Sequence, residues 1–310
     1  MISKETKRGN DKIADVKEDD LLKSILESDA ITSFTKKNYI ERISAIFRKA
    51  GEDITLLAII INPKKYIELF RSWYAKDSSY KAHLSAILGI FRYNPDLQKR
   101  FEHHRVFWMD AFNIAKDAVD KRYDKNSPTE RQVEGYVPYD SIEAERDLQP
   151  KGSINRVLLG MYTYIRPMRC EYARVAIYQV SAPNDAEPNH ILLKSGKLII
   201  ADFKTKKFHD PYNINLPKPL LDDIKESLIN HPRAYLFENA NNEPFSHCLY
   251  SAWTMKMFKK MFGKPLSVAL IRHSLINSLD FNKLTIEEKK EIATQMGHTV
   301  ATQDRYRLIF

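Results

Sequence analysis

Residues of the kinds that can cut a phosphodiester occur in a fixed order along the second half of the chain. Arg169 follows a proline turn (PMRCEY), and Lys204 ends a β-prone run (LIIADFK). Arg272 and His273 open a helical stretch (LIRHS), Met296-Gly297-His298 closes another, and Tyr306 comes eight residues after that histidine. Cutting such a bond with a side-chain nucleophile has three requirements. An oxygen must attack in line, positive charge must neutralise the non-bridging oxygens, and an acid must protonate the departing oxygen. With no metal-ligand spacing in the sequence, arginine is the natural clamp, because its planar fork matches two phosphate oxygens. A lysine or a histidine can supply the proton. Each residue alone has an ordinary alternative: a solvated hairpin lysine, a Gly-His helix end, a packing tyrosine.

The elements that must position these residues divide into two groups. Residues 1–20 are charged and read as a disordered N-terminus. Residues 21–125 carry helical stripes. Ser33 or Thr35 can cap a helix bearing Ile43 and Ile46, Tyr66 to Trp73 mark a second, and Ser78 or Ser79 can open a third through Phe91. A fourth runs through Trp108 and Phe112. Lys36, Lys37, Lys81 and His83 lie near helix starts, where a DNA-binding bundle would meet phosphates. Residues 126–136 are polar, with Ser127-Pro128 and Gly135, and read as a linker. Residues 137–310 begin with helices from Tyr139 and Ser153. Short β-prone runs follow at Val175–Val180, His190–Leu193, Lys197–Phe203 and Tyr212–Leu216. These predict a small antiparallel sheet of about three strands. Further helices complete the chain, and Thr285 with Glu288 forms a capping box before the last long one.

Composition bounds the partner. Hydrophobic residues make up 43% of the 310, enough for real cores, and the net charge is +9. The excess is shared, with 25 basic against 21 acidic residues through Tyr136 and 24 against 19 beyond it. A basic surface spread over both halves suits a polyanion running along the molecule, and double-stranded DNA is the obvious one. Two distant cysteines exclude a disulfide framework. The longest apolar run, Leu56 to Ile61, is too short to span a bilayer, and no secretory h-region is evident. The expectation is a soluble, intracellular protein with no membrane partner.

In this order and on these elements the residues resemble the catalytic end of the tyrosine recombinases, the integrase family. The phrases PMRCEY, DFKTKK and MGHTVATQDRYR resemble divergent integrases of large eukaryotic DNA viruses, virophages and related transposons. The resemblance covers residues 136–310 well and the helical half loosely. It implies a mainly α, α+β protein: an N-terminal SAM-like core-binding domain and a C-terminal catalytic domain with a small antiparallel sheet. It makes Arg169 and Arg272 the phosphate clamp, Lys204 the hairpin general acid, His298 a ligand of the scissile phosphate and Tyr306 the nucleophile. Arg166 competes with Arg169, and Lys206 and Lys207 flank Lys204 as DNA contacts, as does His273 beside Arg272. Strand cutting and rejoining through a 3′-phosphotyrosine would need no metal and no other cofactor. Recombination would need a homotetramer on DNA, in the host nucleus or in the cytoplasm or virus factory of a viral member. Three features depart from the pattern. Glu171 falls one residue early after Arg169, Ala269 stands where a histidine is usual, and the spacing from His298 to Tyr306 is one residue short. A type IB topoisomerase and a DNA-binding member with impaired catalysis are the alternatives.

Overall fold

The computed structural model describes residues 18–51, 54–207 and 209–310; the expected disordered segment lies, up to residue 17, outside the described residues. The chain divides into two compact units between Asp124 and Lys125. No helix among the described residues is long and apolar enough to cross a membrane.

The first unit is helical: α1 (Glu18–Glu27), α2 (Ser33–Ala50), α3 (Leu56–Ile60), α4 (Pro63–Trp73), α5 (Asp77–Arg92), α6 (Pro95–Arg100) and α7 (Glu102–Asp124). Thr32, rather than Ser33 or Thr35, caps α2, its hydroxyl accepting from the Thr35 amide. Asn62-Pro63 and Asn94-Pro95 end one helix and begin the next. Proline fits the first helical turn, where its missing N–H is no loss and its φ is already helical. The expected fourth helix is α7, and the short α6 precedes it with a break at Phe101. α5 buries Leu84, Ile87, Ile90 and Phe91 and packs against α2 and α7. Trp108 is fully buried, its ring 5.5 Å from that of Phe70, and its indole N–H donates to the Ile60 carbonyl at 3.0 Å.

The second unit opens with the stretch read above as a linker. Residues 130–135 form α8 (Glu130–Gly135), opened by a Thr129–Gln132 capping box. A Cβ on Gly135 would come within 2.6 Å of the Pro265 carbonyl, so only glycine allows that approach. Beside it the Ser274 hydroxyl donates to the Val137 carbonyl at 2.6 Å. Most of the segment's side chains are polar and its closest approach is made by a glycine, which is why composition reads it as a tether. α9 (Tyr139–Leu148) and α10 (Ile154–Thr163) follow, the latter burying Val157 to Tyr162. A 3₁₀ turn (Glu171–Arg174) leads into β1 (Ala176–Tyr178), β2 (Asn189–Leu192), β3 (Lys197–Ile200) and β4 (Tyr212–Asn215). The sheet has four strands in the order β1-β2-β3-β4, and β1 pairs with β2 in parallel. The expected three-stranded antiparallel sheet is thus corrected to a mixed one. The Asn184-Asp185 turn lies in a loop that carries the chain back to the same end of the sheet, so it is not a hairpin. The antiparallel pairs β2–β3 and β3–β4 are as the turns predict.

Helices α11 (Lys218–Asn230), α12 (His247–Phe262), α13 (Val268–Ser278), α14 (Ile286–Gln295) and α15 (Val300–Asp304) complete the unit. The Thr285–Glu288 capping box opens α14 as expected. Gly297 turns left-handed (φ 65°) just beyond its end, a conformation that glycine adopts without strain. Truncating Trp108 to Ala should lower the unfolding free energy of the first unit by about 3–5 kcal/mol. Trp108→Phe, which keeps most of the packing and orphans the Ile60 carbonyl, should cost about 1–3 kcal/mol. Urea unfolding followed by circular dichroism distinguishes the two.

Candidate active site

α13 brings Arg272 into the interior, where its side chain is fully buried. One terminal N–H group donates to the Pro167 carbonyl and the other to the Met296 carbonyl, each at 2.8 Å. Its Nε–H donates to the phenol oxygen of Tyr306 at 3.3 Å, and its guanidinium sits 5.0 Å from the centre of that ring. Among the described residues no carboxylate lies within ion-pair distance of it. A buried cation without a counter-ion is costly, so the pocket is electrostatically prepared for an anion.

Arg169 enters from the turn after Pro167 and donates to the Gly297 carbonyl at 3.4 Å. Arg166 reaches instead for the Gln295 side chain, at 3.3 Å. Of the two competing arginines, Arg169 is therefore the one whose guanidinium lies beside the His298 segment. Glu171, the early acid, is buried in the 3₁₀ turn with one carboxylate oxygen lacking a partner.

His298 and Tyr306 stack, ring centres 5.1 Å apart and planes 20° from parallel. The His298 Nδ1 lies 3.2 Å from the Thr299 carbonyl, which can only accept. A neutral ring therefore carries its proton on Nδ1 and leaves a lone pair on Nε2, a buried atom with no partner in the protein. Burial first, then the charges of Arg272 and Arg169, hold the His298 pKa down at about 4, so the ring is neutral at pH 7. Burial alone would raise the Tyr306 phenol, but the same two arginines outweigh it and hold that pKa below the ordinary tyrosine value. The two arginines thus help keep the histidine neutral and make the tyrosine more acidic.

His273 does not face outward. Its Nδ1–H donates to the Tyr306 carbonyl at 2.6 Å, and the Gln132 amide stands 3.4 Å from Nε2. The residue expected to contact DNA thus also holds the Tyr306 backbone. One helical turn after His273, Asn277 holds the Leu308 backbone at both its N–H and its carbonyl, at 2.8 and 3.0 Å. Nothing in the sequence marks Asn277 for this task.

Lys204 is exposed in the turn after β3. That turn is pinned on both sides: Phe203 is buried against the Tyr212 ring, and the Thr205 hydroxyl donates to the Gly297 carbonyl at 3.4 Å. The structure thus ties the lysine's turn, though not its ammonium group, to the pocket. Lys206 pairs with Asp202 and lines with Lys207, His209 and Tyr212 an open groove beside the sheet. In the first unit Lys36 donates to the Leu26 carbonyl, Lys37 lies 3.8 Å from Glu41, and Lys81 is half-exposed. His83 is buried, stacked 3.6 Å from Tyr74 and bonded to the Ser79 carbonyl, so its assignment to phosphate is corrected to core packing. Its face of α5 is the inner one.

No family model and no curated sequence matches the chain. Among solved structures it is similar to lambda integrase (residues 75–356) bound to DNA, with a TM-score of 0.57 at 15% identity over 94% of this chain and 95% of that one. A lambda integrase dimer bound to a COC′ core site gives 0.56 at 18% identity, over 94% and 75%. A lambda integrase tetramer bound to a Holliday junction gives 0.54 at 17%, over 94% and 78%. The chain has the integrase fold, mainly α with a small sheet.

The His298 shift sets a pH dependence of stability. In the unfolded chain a histidine titrates near about 6.5, so between there and pH 4 the unfolded state holds the extra proton. Stability should therefore fall as pH drops through that window, by up to about 3 kcal/mol from this group. His298→Gln should flatten that part of the profile in urea unfolding at pH 4.5 to 7; equal slopes for parent and variant would contradict the assignment.

Proposed function

We propose that the chain is a tyrosine recombinase that cuts and rejoins double-stranded DNA. The observation that carries the reading is the Arg272 Nε–H bond to the Tyr306 phenol, made in a pocket that also holds Arg169 and His298, on the lambda integrase fold. In this reading the Tyr306 oxygen attacks the scissile phosphorus and the bond to the 5′ oxygen breaks, leaving a 3′-phosphotyrosine. The phenol proton passes to the free lone pair of His298 Nε2, and Lys204 protonates the departing 5′ oxygen. Arg169 and Arg272 hold the non-bridging oxygens, whose charge grows in the transition state. A 5′-hydroxyl from another strand reverses the step, so the number of phosphodiester bonds is conserved and no external energy source enters.

DNA would follow basic residues of both units, Lys36, Lys37 and Lys81 in one and Lys206 and Lys207 in the other. Domain roles follow the same division, with residues 21–125 binding DNA and residues 137–310 carrying the chemistry. Lambda integrase has been seen as a tetramer on a Holliday junction. Four copies of this chain on two duplexes is the corresponding assembly here, acting wherever its target DNA lies.

Incubation with nicked suicide DNA should give a covalent protein–DNA adduct. Tyr306→Phe, which removes the attacking oxygen alone, should abolish it with DNA affinity kept. Arg169→Ala should slow cleavage by about 10²–10³-fold, while Arg166→Ala leaves the rate near the parent's. The reverse order for the two arginines would reassign the clamp.

Ala269 favours a second reading, a slow member of the fold. Base catalysis by a positioned group is worth about 10²–10⁴-fold, and Ala269 is exposed on the first turn of α13, where a larger side chain has room. Ala269→His should raise the single-turnover cleavage rate; a parent that is silent until this change would make the chain a disabled member.

A further inference from the structure

Tyr212 opens β4 and has no special mark in the sequence. Its ring packs against Phe203, centres 4.8 Å apart, and its backbone is fixed by pairing with Ile200 of β3. The hydroxyl at the far end is buried and has no hydrogen-bond partner in the protein. Its position can be read from Gly297. A Cβ placed on that glycine would lie 3.6 Å from the Tyr212 oxygen, 3.7 Å from an Arg169 terminal nitrogen and 3.7 Å from the Thr205 hydroxyl. Three polar atoms on three elements thus converge on one point, next in sequence to His298, whose Nε2 is also unpartnered.

We propose that Tyr212 is a further catalytic residue, whose hydroxyl donates a hydrogen bond to a non-bridging oxygen of the scissile phosphate held by Arg169 and Arg272. The inference rests on the strand-cutting function proposed above. A buried hydroxyl left unpaired costs about 1–3 kcal/mol, so it persists where something outside the protein completes it. A phosphate between the two arginines is the acceptor this pocket is charged to receive. The phenol is suited to donate rather than attack. Burial first, then Glu171, raise its pKa against the lowering effect of Arg169 and Arg272, so it stays protonated. Tyr306, facing the same arginines, is shifted the other way. Two tyrosines pushed apart in acidity mark a donor and a nucleophile. No covalent step is added: the hydroxyl keeps its proton throughout.

The test uses the full chain and suicide DNA under single-turnover conditions. Tyr212→Phe keeps the ring on Phe203 and removes the donor, so cleavage should slow by about 10- to 100-fold with DNA affinity and melting temperature unchanged or the latter slightly raised. Substrates with a methylphosphonate at the scissile position, one diastereomer at a time, locate the bond. For the diastereomer lacking the bonded oxygen, parent and variant should cleave at equal rates; for the other, the deficit should remain. A Tyr212→Phe protein that cleaves natural DNA at the parent's rate, while Tyr306→Phe forms no adduct, overturns this inference alone. A deficit of equal size on both diastereomers overturns it too, because the hydroxyl would then act without touching either oxygen. A parent that forms no adduct overturns this and the proposed function together.

Discussion

The second unit is arranged around a guanidinium that water cannot reach. Arg272 joins three segments far apart in sequence: the turn at Pro167, the end of α14 at Met296, and Tyr306 beyond α15. Backbone carbonyls satisfy its N–H groups but do not neutralise its charge, and burial lowers its pKa despite the phenol beside it. Fixing a cation there ahead of time means that the reorganisation an anion would otherwise require is already done during folding. The same bonds make the residue structural, since removing it would strand two buried carbonyls.

That charge then sorts the groups around it. His298 is kept neutral, Tyr306 is made more acidic, and Tyr212 is left protonated, each by a different balance of burial against the two arginines. Among the described residues no carboxylate comes within ion-pair distance of Arg169 or Arg272, although the buried Glu171 acts on Arg272 through space.

The hairpin turn and the C-terminal residues reach this pocket through the main chain. Gly297 accepts from both Arg169 and Thr205, so that arginine and the lysine-bearing turn share one anchor. Tyr306 is held from its own carbonyl by His273 and, two residues on, by the Asn277–Leu308 pair. Tyr306 is therefore placed by its backbone neighbours, and its ring orientation by the stack on His298.

Much of this was legible in the sequence because it is written locally. The stripe through Ile43 and Ile46, the apolar α10, the Thr285–Glu288 cap and the left-handed Gly297 are properties of a few adjacent residues. The order of Arg169, Arg272, His298 and Tyr306 named a set whose side chains the fold does bring together. Where hydropathy misled, the deciding contact was remote or made by backbone. His83 shares its face of α5 with the core, the segment 126–136 docks through Gly135 and the packing of Tyr136 on Phe310, and β1 runs parallel because a loop returns it to the same end of the sheet. Periodicity reports which residues want burial and cannot report which distant atom they meet. The approach of Arg169 to Gly297 and of Arg166 to Gln295, the neutral state of His298 and the unpaired hydroxyl of Tyr212 all depend on atoms about eighty or more residues apart, or on the burial that only folding creates. Those were decided by the tertiary structure.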